Sequence, residues 1–281
     1  MRSDELVRVA GAVVDVAVPA RPGRVAGVGM AGFRSTAAAP IDLRMIPYPA
    51  VTVFFDFGDA LLVDDARGLR RRGRSVVLGM GPGRLRGYGQ DVEVLQVRLS
   101  PVAAHAVLGV PGGADGPGAA VVGLDELWGP DAGIVRRRLR DAGSWDERFA
   151  VMDDVLARRW EPERGMDPEV AHAWTRMVTS RGQVRVEGLA GEVAWSRQRL
   201  WSRFRAQVGL TPKRAATLVR FDHIAHRLAA GHNAARVAAE DGFADQSHLC
   251  RDVMAFAGMT PSALATAPWL AVDDIAWPTA Y

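Results

Sequence analysis

Two stretches of this chain, LAGEVAWSRQRLWSRFRAQVGLTP at 189–212 and VAAEDGFADQSHLCRDVMAFAGMTP at 237–261, repeat one pattern. The first copy runs Leu189-Ala190, Ala194, Ser196, Leu200, Phe204, then Gly209-Leu210-Thr211-Pro212. The second runs Val237-Ala238, Gly242, Asp245, Leu249, Val253, then Gly258-Met259-Thr260-Pro261. The offset is 48 residues before the turn and 49 after it. Each copy reads as a helix-turn-helix. A short first helix ends near Val193 or Asp241, and Ala190 or Ala238 lets the two helices approach closely. Ala194 or Gly242 opens the turn. Ser196 and Asp245 are side chains that cap a helix N-terminus. Leu200 with Phe204, and Leu249 with Val253, are i, i+4 pairs that anchor the second helix. The Gly-x-Thr-Pro element stops that helix and starts the next one.

Between the copies, Leu218, Phe221, Ile224, Ala225 and Leu228 share one face of a helix predicted over 212–230. Such a helix would fix the two units relative to each other. Second helices about one turn of B-DNA apart, roughly 34 Å, can enter adjacent major grooves.

SRQRLWSRFRAQVGLTP, the Leu218-Val219-Arg220-Phe221 helix and AAEDGFADQSHLCRDVMAFAGMTP together resemble the AraC/XylS double helix-turn-helix domain. The resemblance covers about 100 residues. It departs at two places. Many members carry Arg where this chain has Ser202, with Arg203 one place later. Many carry Phe and a basic residue where this chain has Val253 and Met254. The resemblance implies a transcription regulator that binds double-stranded promoter DNA, with RNA polymerase contact and homodimerisation as family expectations.

On the first reading helix, Leu200 and Phe204 face inward, which leaves Arg197, Gln198, Trp201, Ser202 and Arg205 outward. The resemblance puts Gln198, Trp201 and Ser202 at base edges, where Gln can pair with adenine and Trp can pack on thymine methyls. Arg197 and Arg205 suit phosphates. The alternative for Trp201 is packing beneath the linking helix. On the other reading helix, Gln246, Ser247 and Arg251 match base-facing positions, with Cys250 beside Arg251.

Upstream, the first hundred residues read as strands and turns. VVDVAV (13–18), VAGVGMAGF (25–33), VTVFFDF (51–57), SVVLGM (75–80) and VEVLQVRL (92–99) are rich in β-branched and aromatic residues. Gly, Pro and Asp punctuate them, which suggests a sandwich or barrel. Pro101 to Leu108 reads as a short helix, 109–120 as a Gly/Pro loop, and the chain turns helical from about Asp131. Pro162, Gly165 and Pro168 mark a linker. The expected class is α+β: a regulatory, effector or dimerisation domain over 1–160, a linker over 161–168, a DNA-binding domain over 169–268, and a loosely packed tail over 269–281. VRLSPVAAHAVLGVP, GLDELWG and DERFAVMDDVLARRW resemble, more weakly, the regulatory half of some regulators of this type. That likeness implies a β-rich, cupin-like fold and dimer contacts near 146–160.

A small-molecule effector would need a pocket, for which Phe33, Phe55, Phe57, Tyr88 and Trp128 are candidate linings beside plain core roles. A protein partner in place of a ligand stays open; a large apolar pocket would favour the first and a flat apolar patch the second.

Charge follows the division. Residues 181–265 hold 12 Arg/Lys against 7 Asp/Glu, and the rest of the chain 23 against 25. Lys213 is the single lysine. A basic C-terminal third is what phosphate neutralisation needs, and also what a solvated face can show. The Arg70-Arg71-Arg72 run with Arg74 reads as a basic run in a loop, solvated as most such runs are, with contact to DNA or an acidic partner as the alternative. Gly81-Pro82-Gly83 and Gly87-Tyr88-Gly89 read as turns, since no Lys-Ser/Thr follows to make a phosphate loop.

Cys250 is the only cysteine, so no disulfide framework forms within one chain. Some DNA-repair methyltransferases join this helix-turn-helix type to a catalytic cysteine domain, but here the cysteine lies inside the repeat, so no enzyme is expected. The six histidines form no compact ligand motif, and no metal or cofactor is expected. His223 and His226 lie three apart on the linking helix, which is too few ligands for a site. The start lacks a signal-peptide pattern and no apolar run approaches a membrane span. The expected location is cytoplasmic, on the nucleoid.

Overall fold

A computed structural model describes residues 5–9, 12–35, 41–58, 62–64, 70–72, 75–81, 85–89, 92–109, 121–161 and 164–277. The strands are β1 (Glu5–Val9), β2 (Ala12–Ala17), β3 (Val28–Ser35), β4 (Ile41–Met45), β5 (Val51–Asp56), β6 (Leu62–Asp64), β7 (Arg70–Arg72), β8 (Ser75–Leu78), β9 (Leu85–Gly89), β10 (Glu93–Leu99) and β11 (Val121–Gly123). They form an antiparallel sheet ordered β1-β2-β3-β10-β5-β8-β11 and a second antiparallel sheet ordered β4-β9-β6-β7. The helices are α1 (Pro101–Leu108), α2 (Leu124–Trp128), α3 (Pro130–Asp141), α4 (Trp145–Arg159), α5 (Pro168–Thr179), α6 (Val186–Glu192), α7 (Arg197–Val208), α8 (Pro212–Ala229), α9 (Ala234–Glu240), α10 (Gln246–Ala257), α11 (Pro261–Ala265) and α12 (Pro268–Ala276). The class is α+β, with the β-rich part first and an all-α part after it.

Period-two alternation gives the larger sheet two working faces. On β10, Leu95, Val97 and Leu99 oppose Gly32, Met30 and Val28 of β3 and Phe55, Val53 and Val51 of β5. This face joins the core shared with Leu139 of α3, Phe149 and Met152 of α4 and Ala103 and Val107 of α1. Val94, Gln96 and Arg98 point to the other face, with Phe33, Ala31 and Gly29 of β3. One contiguous core then runs from the sheet through α1 and α7 into α5 and α8.

Among the described residues all five expected strands form, together with six others that were not foreseen. β4 (IDLRM) and β9 (LRGYG) carry Arg and Gly in place of a β-branched run; pairing between them supplies what propensity does not. Two readings are corrected. Arg70-Arg71-Arg72 is not loop but strand β7, paired with β6, and Gly87-Tyr88-Gly89 is not a turn but the end of β9. Arg74, Pro82, Gly83 and the 110–120 stretch lie outside the described residues.

The expected loose tail is the largest difference. Residues 268–276 form helix α12, with Pro268 in its first turn, where a missing N–H costs nothing. Val272, Ala276 and Trp277 are buried against Val14 and Val16 of β2 and Ala31 of β3. Two prolines suggested a break; the buried aromatic and aliphatic side chains between them decide otherwise.

Candidate nucleic-acid interface

The repeat folds twice into the same device. In the first unit, Ser196 accepts from the Arg199 N–H (3.1 Å) to start α7; in the second, Asp245 accepts from the His248 N–H (2.7 Å) to start α10. Ala194 (φ 52°) and Gly242 (φ 75°) turn the chain in the left-handed region. The turn is locked by matching backbone bonds: the Trp195 N–H donates to the Ala190 carbonyl (3.0 Å), and the Phe243 N–H to the Ala238 carbonyl (3.1 Å). Gly209 and Gly258 end the reading helices in the same left-handed state, and Thr211 and Thr260 cap α8 and α11. Leu200, Phe204, Leu249 and Val253 are fully buried.

Acids at the ends of the first helices add a correspondence that the sequence pattern did not reveal. Glu192 of α6 is held by Arg176 of α5 (2.9 and 3.2 Å) and by His172 (2.9 Å). Glu240 of α9, 48 positions later, is held by Arg236 (2.8 Å) and by Arg227 of α8. Bonds to their Arg partners hold both carboxyls below the usual range, Glu240 at about 2. Arg227 also grips buried Asp241 (2.5 Å). Each first helix is thus tied by a charged pair to the helix before it. The signal was the shared Glu at the 48-residue offset.

The linking helix α8 packs on α7, α10 and α11. Its Phe221 stacks on Phe256 of α10 at 5.0 Å, and Arg220 lies over Phe243 at 4.5 Å and pairs with Asp252 at 3.3 Å. His223 and His226 diverge, His223 toward Asp241 and His226 toward Asp273. No group of three or more metal-ligating side chains occurs among the described residues.

Arg197, Gln198, Trp201, Ser202 and Arg205 are all exposed on α7. Trp201 is 44% exposed, so it does not pack beneath α8. The Arg205 guanidinium stands 5.4 Å from its ring. Arg197 makes an exposed pair with Glu187 of α6 at 3.5 Å, and the other two arginines of α7 are engaged elsewhere. Arg203 makes a bidentate pair with Asp167 (2.7 and 2.8 Å), and Arg199 lies over Trp195 at 4.3 Å. The Arg203 bond holds the Asp167 carboxyl below its usual range. On α10, Gln246, Ser247 and Arg251 are exposed and Cys250 is half-buried.

The five residues offered as a pocket lining are not brought together. Phe55 is in the main core, Trp128 is buried beneath Arg159 (4.3 Å), and Phe57 meets Arg148 (4.5 Å). Phe33 packs toward α12 on the opposite face, and Tyr88 lies in the second sheet beside Arg86 (5.2 Å). A small open pocket has other walls, among them Tyr48, Thr52, Phe54 and Gln96.

Two helix-turn-helix units on one rigid linking helix, each showing an exposed polar and aromatic or basic reading face, define a DNA-binding module. Residues 189–267 match the family model described as "Helix-turn-helix domain". Residues 189–267 of this chain are thus a helix-turn-helix domain. Among solved structures, ToxT from Vibrio cholerae O395 aligns at 12% identity over 86% of this chain and 98% of its own, with a TM-score of 0.49. The C-terminal domain of AraT, a response regulator from Geobacillus stearothermophilus, aligns at 17% identity over 36% of this chain and 85% of its own, TM-score 0.34. The AraC-like transcriptional activator CuxR aligns at 15% identity over 68% and 80%, TM-score 0.28. No curated protein matches the chain. Among the described residues no helix is long and apolar enough to cross a membrane.

Proposed function

We propose that this protein regulates transcription by laying α7 and α10 in adjacent major grooves of promoter DNA, with the β-rich domain controlling the outcome. The observation that carries this reading is the exposed face of α7. Trp201 stands there in solvent between Gln198 and Arg205, on a helix whose other side is fully buried. A large exposed aromatic in a basic helix suits a contact with thymine methyls, and Gln198 suits adenine. Ser202 reads beside them, and Arg197 and Arg205 neutralise phosphates. On α10, Arg251 reads guanine, Gln246 and Ser247 flank it, and Cys250 packs at its side. Promoter DNA is the partner, and RNA polymerase and a second copy of the chain are the further partners of this mode of action. The site of action is the cytoplasmic nucleoid.

For control, the scatter of Phe33, Phe55, Phe57, Tyr88 and Trp128 favours core roles for them over a shared pocket. A protein partner at the β-rich domain therefore stands beside a small-molecule effector.

The test recovers genomic fragments bound by the purified chain and measures the affinity of Trp201→Ala for the enriched sequence. The expected loss is about ten- to a hundredfold, in the range of 1–3 kcal/mol for one specific base contact, with an unchanged melting temperature because the side chain is exposed. Unchanged affinity for the enriched sequence would overturn the assignment of α7.

A further inference from the structure

Helix α12 lies beyond the two reading units and carries charge into the seam between the domains. Asp273 of α12 is 5% exposed and accepts from the Arg98 guanidinium of β10 at 2.7 Å. Arg98 is itself 6% exposed and sandwiched between the rings of Tyr48 (3.5 Å) and Trp277 (4.1 Å). Gly29, opposite Arg98 on β3, leaves room for Trp277, since a Cβ there would stand 3.0 Å from the indole. From α8, the DNA-binding domain contributes Asp222, also buried, and His226, whose Nε2 is 3.8 Å from Asp273 Oδ2. His226 Nδ1 is 2.9 Å from the Asp222 carbonyl oxygen.

The charge inventory of this seam is uneven. β10 supplies Arg98, and the segment after β4 supplies neutral Tyr48. From α8 come Asp222 and His226, while His223 and Arg227 of the same helix turn to Asp241. From α12 comes Asp273, with Asp274 exposed one residue on. On β2 and β3, Asp15 and Arg34 are register partners on the sheet's other face, and on β1 Glu5 holds the register position opposite Val16. With His226 neutral, two buried carboxylates face one guanidinium. Neither Asp222 Oδ1 nor Asp273 Oδ2 accepts a hydrogen bond among the described residues. An excess buried negative charge is costly, and one proton on the His226–Asp222–Asp273 group removes it.

We infer that α12 is a latch holding the DNA-binding domain to the β-rich domain through Asp273 and Arg98, and that the latch binds a proton and loosens when it is lost. Both reading faces are exposed with the latch closed, so it sets how the domains are coupled and does not cover the DNA site.

The titration of the group agrees in sign. Burial pushes Asp222 up to about 6, against the pull of His226 and Arg98. Burial alone would lower His226, but the Asp222 carboxylate and carbonyl, with Asp273 and Asp274, hold it above the usual histidine value. Both groups keep protons in the folded state that the unfolded chain releases. The Asp222 penalty therefore grows as pH rises from the ordinary carboxyl range to about 6. The His226 contribution is complete below the ordinary histidine pKa and is lost as pH rises through its raised one.

The experiment is amide hydrogen exchange of the full chain at pH 5.5 and pH 8, corrected for intrinsic rates. Protection of α12, the facing strands β2 and β3 and the Asp222–His226 turn of α8 is expected to be at least about tenfold higher at pH 5.5, the factor for one unit of linked titration. In Asp222→Asn, which removes the excess charge while keeping the Arg98 partner, protection becomes high and equal at the two pH values. Equal protection at both pH values in the wild type, or an Asp222→Asn variant that keeps the pH response, overturns the latch. If that variant does not fold, the NMR titration of the His226 ring decides: a midpoint above the ordinary histidine range supports the shared proton, and one at or below it overturns it.

Discussion

Ala194 and Gly242 occupy the same place in the two units and adopt the same left-handed backbone, yet only one is glycine. A left-handed L-residue costs roughly 1–2 kcal/mol, partly offset in the unfolded chain, which glycine leaves freer. Ala194→Gly should therefore stabilise the first unit by about 0.5–1 kcal/mol, and Gly242→Ala should cost about as much in the second. Nothing stands within 4 Å of the place a Cβ would take on Gly242, so sterics with neighbours do not confuse the result. Chemical denaturation of both variants checks it; a destabilised Ala194→Gly would mean that the turn is not strained.

The reading helices differ in charge more than their common geometry suggests. α7 holds four arginines, Arg197, Arg199, Arg203 and Arg205, and no acid, whereas α10 holds Arg251 and Asp252. Arg203 is tied to Asp167 and Arg199 lies over Trp195; Arg197, whose pair with Glu187 is 3.5 Å long and exposed on both sides, and Arg205 are the two offered to phosphates. Arg205→Ala should lower the salt slope of operator binding by about one and weaken all sequences alike. Arg251→Ala should instead relax discrimination at one base by about 1–3 kcal/mol with little change in salt slope. A salt titration on operator and non-operator DNA separates the two; identical behaviour of the variants would contradict the division of labour. At this scale the C-terminal elements were legible because each depends on local chemistry: a cap at Ser196 or Asp245, a stop at Gly209 or Gly258, an i, i+4 pair between. The strands β1, β4, β6, β7, β9 and β11 were not, because Arg, Gly and short length hide them until a partner strand pairs with them. α12 was missed for a similar reason, since its apolar side chains are buried only by the first domain, more than two hundred residues away in sequence. The exposed positions on α7 were readable from helix period alone. Which arginines are already engaged was not, as Asp167 meets Arg203 only through the packing of α5 on α7.

Over the whole molecule, the two units are held by one uninterrupted helix. α8 runs eighteen residues from Pro212 to Ala229, is buried along one side and is pinned to α10 by the Phe221–Phe256 stack and by Arg220 with Asp252. The charged ties of Glu192 to α5 and of Glu240 and Asp241 to α8 add to that rigidity. Two reading helices on such a spacer have little freedom to follow DNA boxes that move apart or rotate about the duplex. The most direct measurement is the affinity of the protein for its recovered operator with five base pairs, about half a helical turn, inserted between the two boxes. The expected result is binding reduced to the level of one box alone, with both boxes still protected in the uninserted site. Full affinity with both boxes protected after the insertion would contradict two reading helices fixed on one linking helix.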